Sequence, residues 1–134
     1  MKIASFRVGS AAHYGVVQGT GVIDLSVRLR DTFPTLRSLI AAPDWRAPVE
    51  RCLGATPDYD YAGLDLLSVV PDAAKVLCVA LNFHDHIAEA NRALPGGREA
   101  SKYPNTFIRF ADSLIGHRQP LIRPRVSQRF DYEA

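Results

Sequence analysis

Cysteine is scarce. Cys52 and Cys78 are the only two in 134 residues and lie far apart, so no disulfide framework follows and the fold must rest on packing. Cys78 falls within an apolar run, where a small buried hydrophobe is its usual role. No apolar window approaches the length that crosses a bilayer. The start, Met1 to Arg7, lacks the uninterrupted apolar stretch of a signal peptide. Membrane spanning and secretion are therefore unsupported, and a cytoplasmic protein is expected. Charge of a single sign is also missing: 16 basic residues face 14 acidic ones, a net charge of +2 that gives no footprint for nucleic acid. One local exception runs from 118 to 129, where Arg118, Arg123, Arg125 and Arg129 occur without an acid; it suits an anionic substrate or a solvated face. With 47% hydrophobic and 22% charged residues the composition is globular, and the length suits one domain or a small domain plus part of another.

Along the chain, residues 2–7, 13–17 and 21–25 show strand character separated by glycine turns at Gly9-Ser10 and Gln18 to Gly21, a three-stranded meander. His13, at a strand start, reads as a half-exposed packing residue. Residues 35–42 and 45–53 show helical spacing, with Leu36, Leu39 and Ile40 on one stripe, Pro34 suited to the helix start and Trp45 a core or domain-contact aromatic. Pro57, Asp58, Asp60, Gly63 and Pro71 give residues 54–72 the composition of a connector, placing a boundary near residue 70.

Residues 75–81 then read as a buried strand that breaks at Asn82 and enters a short helix. The polar, glycine-paired stretch 94–102 reads as a lid or an ordinary flexible loop. Strand 106–110 puts Arg109 between apolar neighbours, where a charge needs a partner to offset desolvation. Residues 120–124, with proline at both ends, read as a short edge strand.

Chemistry concentrates in two places. On the helix after residue 82, His86 and Glu89 are three apart and share a face. A carboxylate that accepts from one imidazole nitrogen leaves the other basic and fixed in direction, the orienting logic of a histidine general base. A surface histidine beside a surface glutamate is the alternative reading. His84 and His86, two apart on a helix, face away from each other and make a poor transition-metal pair. Near the end of the sequence, Asp131 and Glu133 point to the same face of an extended segment, as two hard oxygen ligands for one divalent cation would. Solvated polar sequence is the alternative there.

Three pieces in order, Cys78-Val79-Ala80-Leu81-Asn82-Phe83-His84-Asp85-His86-Ile87-Ala88-Glu89, Pro104 to His117 (PNTFIRFADSLIGH) and Phe130-Asp131-Tyr132-Glu133, resemble the fumarylacetoacetate hydrolase family. The resemblance implies an α+β, mostly β fold: a small N-terminal domain of β-meander and helices at 1–70, then at 71–134 the start of a catalytic mixed β-roll that is incomplete here. It implies that Glu133 is the first ligand of a Glu-x-Glu pair whose second member would fall one residue beyond Ala134, with a distant aspartate completing the site. The expected ion is magnesium or manganese, with calcium a further option. Arg109 is implied as a substrate or structural contact, and the full-length form is expected to be a homodimer.

The implied activity is metal-dependent hydrolysis of a carbon–carbon bond in a β-dicarbonyl or acylpyruvate-type acid, with His86, oriented by Glu89, activating water. Isomerisation or decarboxylation of a 2-oxo acid on the same platform is the alternative, and a non-catalytic truncated fragment is another. The small-molecule oxo acid is the expected partner, with no nucleic acid and no membrane. Strands 106–110 and 130–134 are expected to pair with strands encoded after residue 134, leaving Phe107, Phe110 and Ile122 without cover.

Overall fold

The structure is a computed structural model that describes residues 1–93 and 102–129. Two compact units divide it: Met1–Asp72 with the described residues from Leu114 onward, and Ala73–Ser113. The described residues form a mixed α and β structure in which strands predominate.

In the first unit β1 (Lys2–Val8), β2 (Ala11–Gln18) and β3 (Gly21–Asp24) form the expected meander, antiparallel throughout. Both hairpins close over two residues because Gly9 and Gly19 take φ of 59° and 61°, a left-handed conformation that costs glycine little. Alternation along β2 sends Tyr14 and Val16 to one face, where Val16 sits opposite Ile23 of β3. Helices α1 (Leu25–Arg28), α2 (Leu36–Ile40) and α3 (Arg46–Glu50) cover that face with Leu25, Leu36, Leu39 and Val49, and Trp45 packs on the rim of the cluster. None of these helices exceeds five residues, a length that would not persist alone. Burial worth roughly 1.5–3 kcal/mol for each such side chain is what holds them.

Local chemistry sets where the helices begin. Asp24 caps α1, its carboxylate accepting from the Val27 amide at 3.3 Å. Thr35 caps α2: its hydroxyl accepts from the Ser38 amide at 3.2 Å, and the Ser38 hydroxyl accepts from the Thr35 amide at 3.1 Å, a reciprocal box. Pro34 thus stands before the cap instead of opening the helix, since proline has no side-chain acceptor to offer. Ile40, expected on the buried stripe, is 44% exposed; with only five residues the helix turns just Leu36 and Leu39 inward.

The stretch 54–72 is not merely a connector. It supplies β4 (Tyr59–Asp60) and β5 (Asp65–Leu66), which pair with β3 and β1 and complete a sheet of order β4-β3-β2-β1-β5. A single 3-10 turn, Tyr61–Gly63, separates them. On the sheet face opposite the helices, Phe6 is fully buried, edge-on to the Tyr59 ring at 5.6 Å. The edge strand expected at 120–124 does not form; that stretch is irregular and exposed, prolines at both ends removing the donors a ladder needs.

In the second unit β6 (Val76–Ala80) leads into α4 (His84–Ala93), and β7 (Asn105–Arg109) returns antiparallel to β6. The sequence led us to expect β6 buried and β7 paired elsewhere. Instead β7 pairs with β6, and on one face of this two-stranded sheet Leu77 and Ile108, directly opposite each other, are each 66% exposed. Phe110 is exposed as expected, as is Ile122 in the first unit, whereas Phe107 is half-buried.

Candidate functional site

The strand-to-helix junction of the second unit carries the candidate site. β6 ends at Ala80, Leu81 takes φ of 53°, and three residues later, at His84, α4 begins. A left-handed leucine costs roughly 1–2 kcal/mol and redirects the chain sharply. The first turn of α4 is secured by the Ile87 amide, which donates to the Phe83 carbonyl at 3.0 Å.

On this helix the expected pair meets. His86 Nδ1 lies 3.6 Å from Glu89 Oε2, an ion-pair distance longer than a hydrogen bond, and the two side chains are 58% and 71% exposed. At this separation the carboxylate faces Nδ1 without the hydrogen bond that would fix the imidazole's tautomer.

Arg109 stands elsewhere on the hairpin. It pairs with Val76, at the far end of the ladder from the Ala80–Asn105 pair that precedes α4. Four residues of strand separate these rows, about 13 Å at about 3.3 Å per residue. Arg109 is exposed, its guanidinium 5.0 Å from the centre of the Phe107 ring, so the desolvation expected from its apolar neighbours does not arise. A two-stranded sheet has no second layer to bury it. Glu133 and Asp131 lie outside the described residues, as does the lid or loop at 94–102 apart from Lys102. Among the described residues no group of three or more His, Cys, Asp or Glu side chains could hold a metal ion.

Sequence reasoning missed a charged network in the first unit. Asp24, only 1% exposed, receives His13 Nδ1 at 2.7 Å. The Asp24 amide donates to Asp58 at 2.7 Å, and Arg28 donates to both Asp58 oxygens at 2.6 and 3.2 Å. That hydrogen bond raises Arg28 and holds the Asp58 carboxyl below its ordinary value. The nearby Tyr14 hydroxyl donates to the Phe33 carbonyl at 2.6 Å; burial, then the Asp24 carboxylate and Cys52, push the phenol from 10.0 up to about 12. Residues 21–25 read as a strand in the sequence, so Asp24 carried no signal of this network, and the helix that it caps, beginning at Leu25, was not foreseen.

Residues 75–134 match the family model described as fumarylacetoacetate (FAA) hydrolase, C-terminal. Through that segment the chain belongs to the fumarylacetoacetate hydrolase family. Among curated relatives, oxaloacetate tautomerase FAHD2A, mitochondrial, of Bos taurus is 31% identical over 140 aligned positions, covering 99% of this chain and 42% of the relative. Oxaloacetate tautomerase fahd2, mitochondrial, of Xenopus laevis is 33% identical over 73 residues, 54% of this chain and 21% of the relative. An uncharacterized protein of Methanocaldococcus jannaschii is 39% identical over 59 residues, 44% of this chain and 22% of that one. The chain thus spans 42% or less of the length of these relatives.

Proposed function

We propose that this chain serves an enzyme that moves protons on a small 2-oxo acid, converting enol and keto forms, with His86 as the base and Glu89 as its orienting carboxylate. The observation that carries the reading is the His86–Glu89 pair at 3.6 Å on a helix entered through a strained elbow. Relatives named oxaloacetate tautomerase that match across 99% of this chain support this class of reaction.

His86 Nε2 removes a proton from the carbon beside the 2-oxo group, the electron pair moves to the carbonyl oxygen, and protonation of that oxygen gives the enol; the reverse path gives the ketone. Glu89 offsets the imidazolium charge that appears between the two transfers. A magnesium or manganese ion, held in part by Glu133, would stabilise enolate charge when bound. The β-roll of the family is the fold in which this site would work, and a homodimer its assembly.

Hydrolytic cleavage of an acylpyruvate is the second reading, favoured by the hydrolase family to which the segment belongs. There His86 takes its proton from water, hydroxide adds to the acyl carbonyl, and the carbon–carbon bond breaks with protonation of the leaving enolate.

The test follows the loss of enol-oxaloacetate by absorbance, and of acylpyruvate in parallel, with magnesium present. Parent activity on oxaloacetate should fall by about 100- to 10,000-fold in His86→Ala and by about 10- to 1000-fold in Glu89→Gln, the span of a lost proton-transfer group. Equal rates for His86→Ala and the parent would remove the pair from the reaction. Cleavage of acylpyruvate without tautomerisation would select the second reading.

A further inference from the structure

Two cavities of about 280 and 270 Å3 open beside β5 in the first unit and share Tyr61, Leu66 and His117 in their walls. Ile3, Leu67 and Ile115 also line the first, and Arg118 lines the second. Together they approach the size at which pockets hold small organic ligands.

Arg118 is placed by a turn built for close contact. The Gln119 amide donates to the Gly116 carbonyl at 3.2 Å, the Gly116 amide to the Gln119 side chain at 2.8 Å, and Gln119 reaches Asp65 at 3.3 Å. Gly116 is buried so tightly on β5 that a Cβ there would collide with the Leu66 carbonyl oxygen. Within the turn Arg118 takes φ of 65°, a position that glycine or asparagine fills at lower cost. The fold therefore holds a strained arginine at the mouth of a cavity. Among the described residues its guanidinium has no hydrogen-bond or ion-pair partner.

Charge on the walls is one-sided. Lys2 lies over the Tyr61 ring at 4.5 Å, and Asp65, the one acid, is already paired with Arg7 at 3.2 Å. Arg118 remains to meet an anion, over walls that are otherwise largely apolar.

We propose that these joined cavities bind a small amphipathic carboxylate, its carboxylate on Arg118 beside His117 and its apolar body over Leu66 and Ile115 against Tyr61. A planar guanidinium pairs a carboxylate in two parallel hydrogen bonds, and the apolar walls suit a short hydrocarbon or aryl tail. The proposal does not depend on the His86 chemistry.

The experiment titrates the protein with 4-phenylbutyrate and follows the Tyr61 and Ile115 resonances by NMR. Saturable shifts at both are expected. Arg118→Gly accepts the left-handed backbone, so it keeps the turn while removing the guanidinium; binding should weaken at least tenfold. The neutral amide, 4-phenylbutyramide, should bind at least tenfold more weakly than the acid. Undiminished binding by Arg118→Gly, an amide that binds as well as the acid, or no saturable shift would each overturn the proposal.

Discussion

Tyr14 offers a quantitative test of how the first unit is held. Its ring belongs to the core at 2% exposure, and its hydroxyl donates to the Phe33 carbonyl at 2.6 Å. Tyr14→Phe keeps the ring and removes the donor, leaving the carbonyl unmet; the expected cost near neutral pH is about 1 kcal/mol. Alkaline pH adds a second effect. The folded phenol titrates at about 12, above its ordinary 10.0, so the fold favours the protonated form. That contribution is complete below pH 10 and is lost as pH rises from there through 12. At pH 11 the unfolded tyrosine is mostly ionised and the folded one mostly not, a population ratio of about ten, which removes about 1.4 kcal/mol of parent stability. The parent should therefore exceed Tyr14→Phe by about 1 kcal/mol at pH 8 and roughly equal it at pH 11. Urea unfolding of both proteins at the two pH values measures this, and the remaining tyrosines, lysines and arginines cancel between parent and variant. A difference that stays constant from pH 8 to 11 would refute the buried-phenol account.

Asp24→Ala removes a helix cap and the partner of a nearly buried histidine, and should cost about 2–4 kcal/mol in urea unfolding. Asp24→Asn should recover part of it, because an amide oxygen can still cap Val27; a loss under about 0.5 kcal/mol in Asp24→Ala would contradict the network. Arg28→Met should narrow its stability deficit as the solution is acidified. Asp58 titrates below its ordinary value when folded, so its pairing with Arg28 stabilises above about pH 4 and is lost as pH falls through the folded value. Unfolding at pH 5 and pH 2.5 checks the sign, and a deficit that widens in acid would be the wrong one.

Where the sequence was legible, a local rule was also the winning rule. The meander could be read because alternation and paired glycine turns fix strands of four to eight residues without help from elsewhere. The shared face of His86 and Glu89 follows from helical geometry alone. β4 and β5 were illegible because two residues show no period; they exist because β3 and β1 present unpaired edges for them to complete. The His13–Asp24 contact was hidden for a related reason. Gly15 pairs with Asp24, and His13, two residues before Gly15, lies on the same sheet face, so the contact is written in register and not in spacing. Arg109 and β6 were misjudged by layer count: alternation says which face a residue takes, and only packing says whether that face is covered.

Leu81 belongs to a further category, because no property of leucine announces a φ of 53°. An apolar side chain in that conformation is disfavoured by roughly 1–2 kcal/mol, and asparagine, the next residue in this chain, would tolerate it better. Such strain persists where the surroundings dictate the direction the chain must leave in. It falls here where the strand hands over to the helix bearing His86 and Glu89. The strain thus sits at the handover that sets the direction in which that helix leaves the strand.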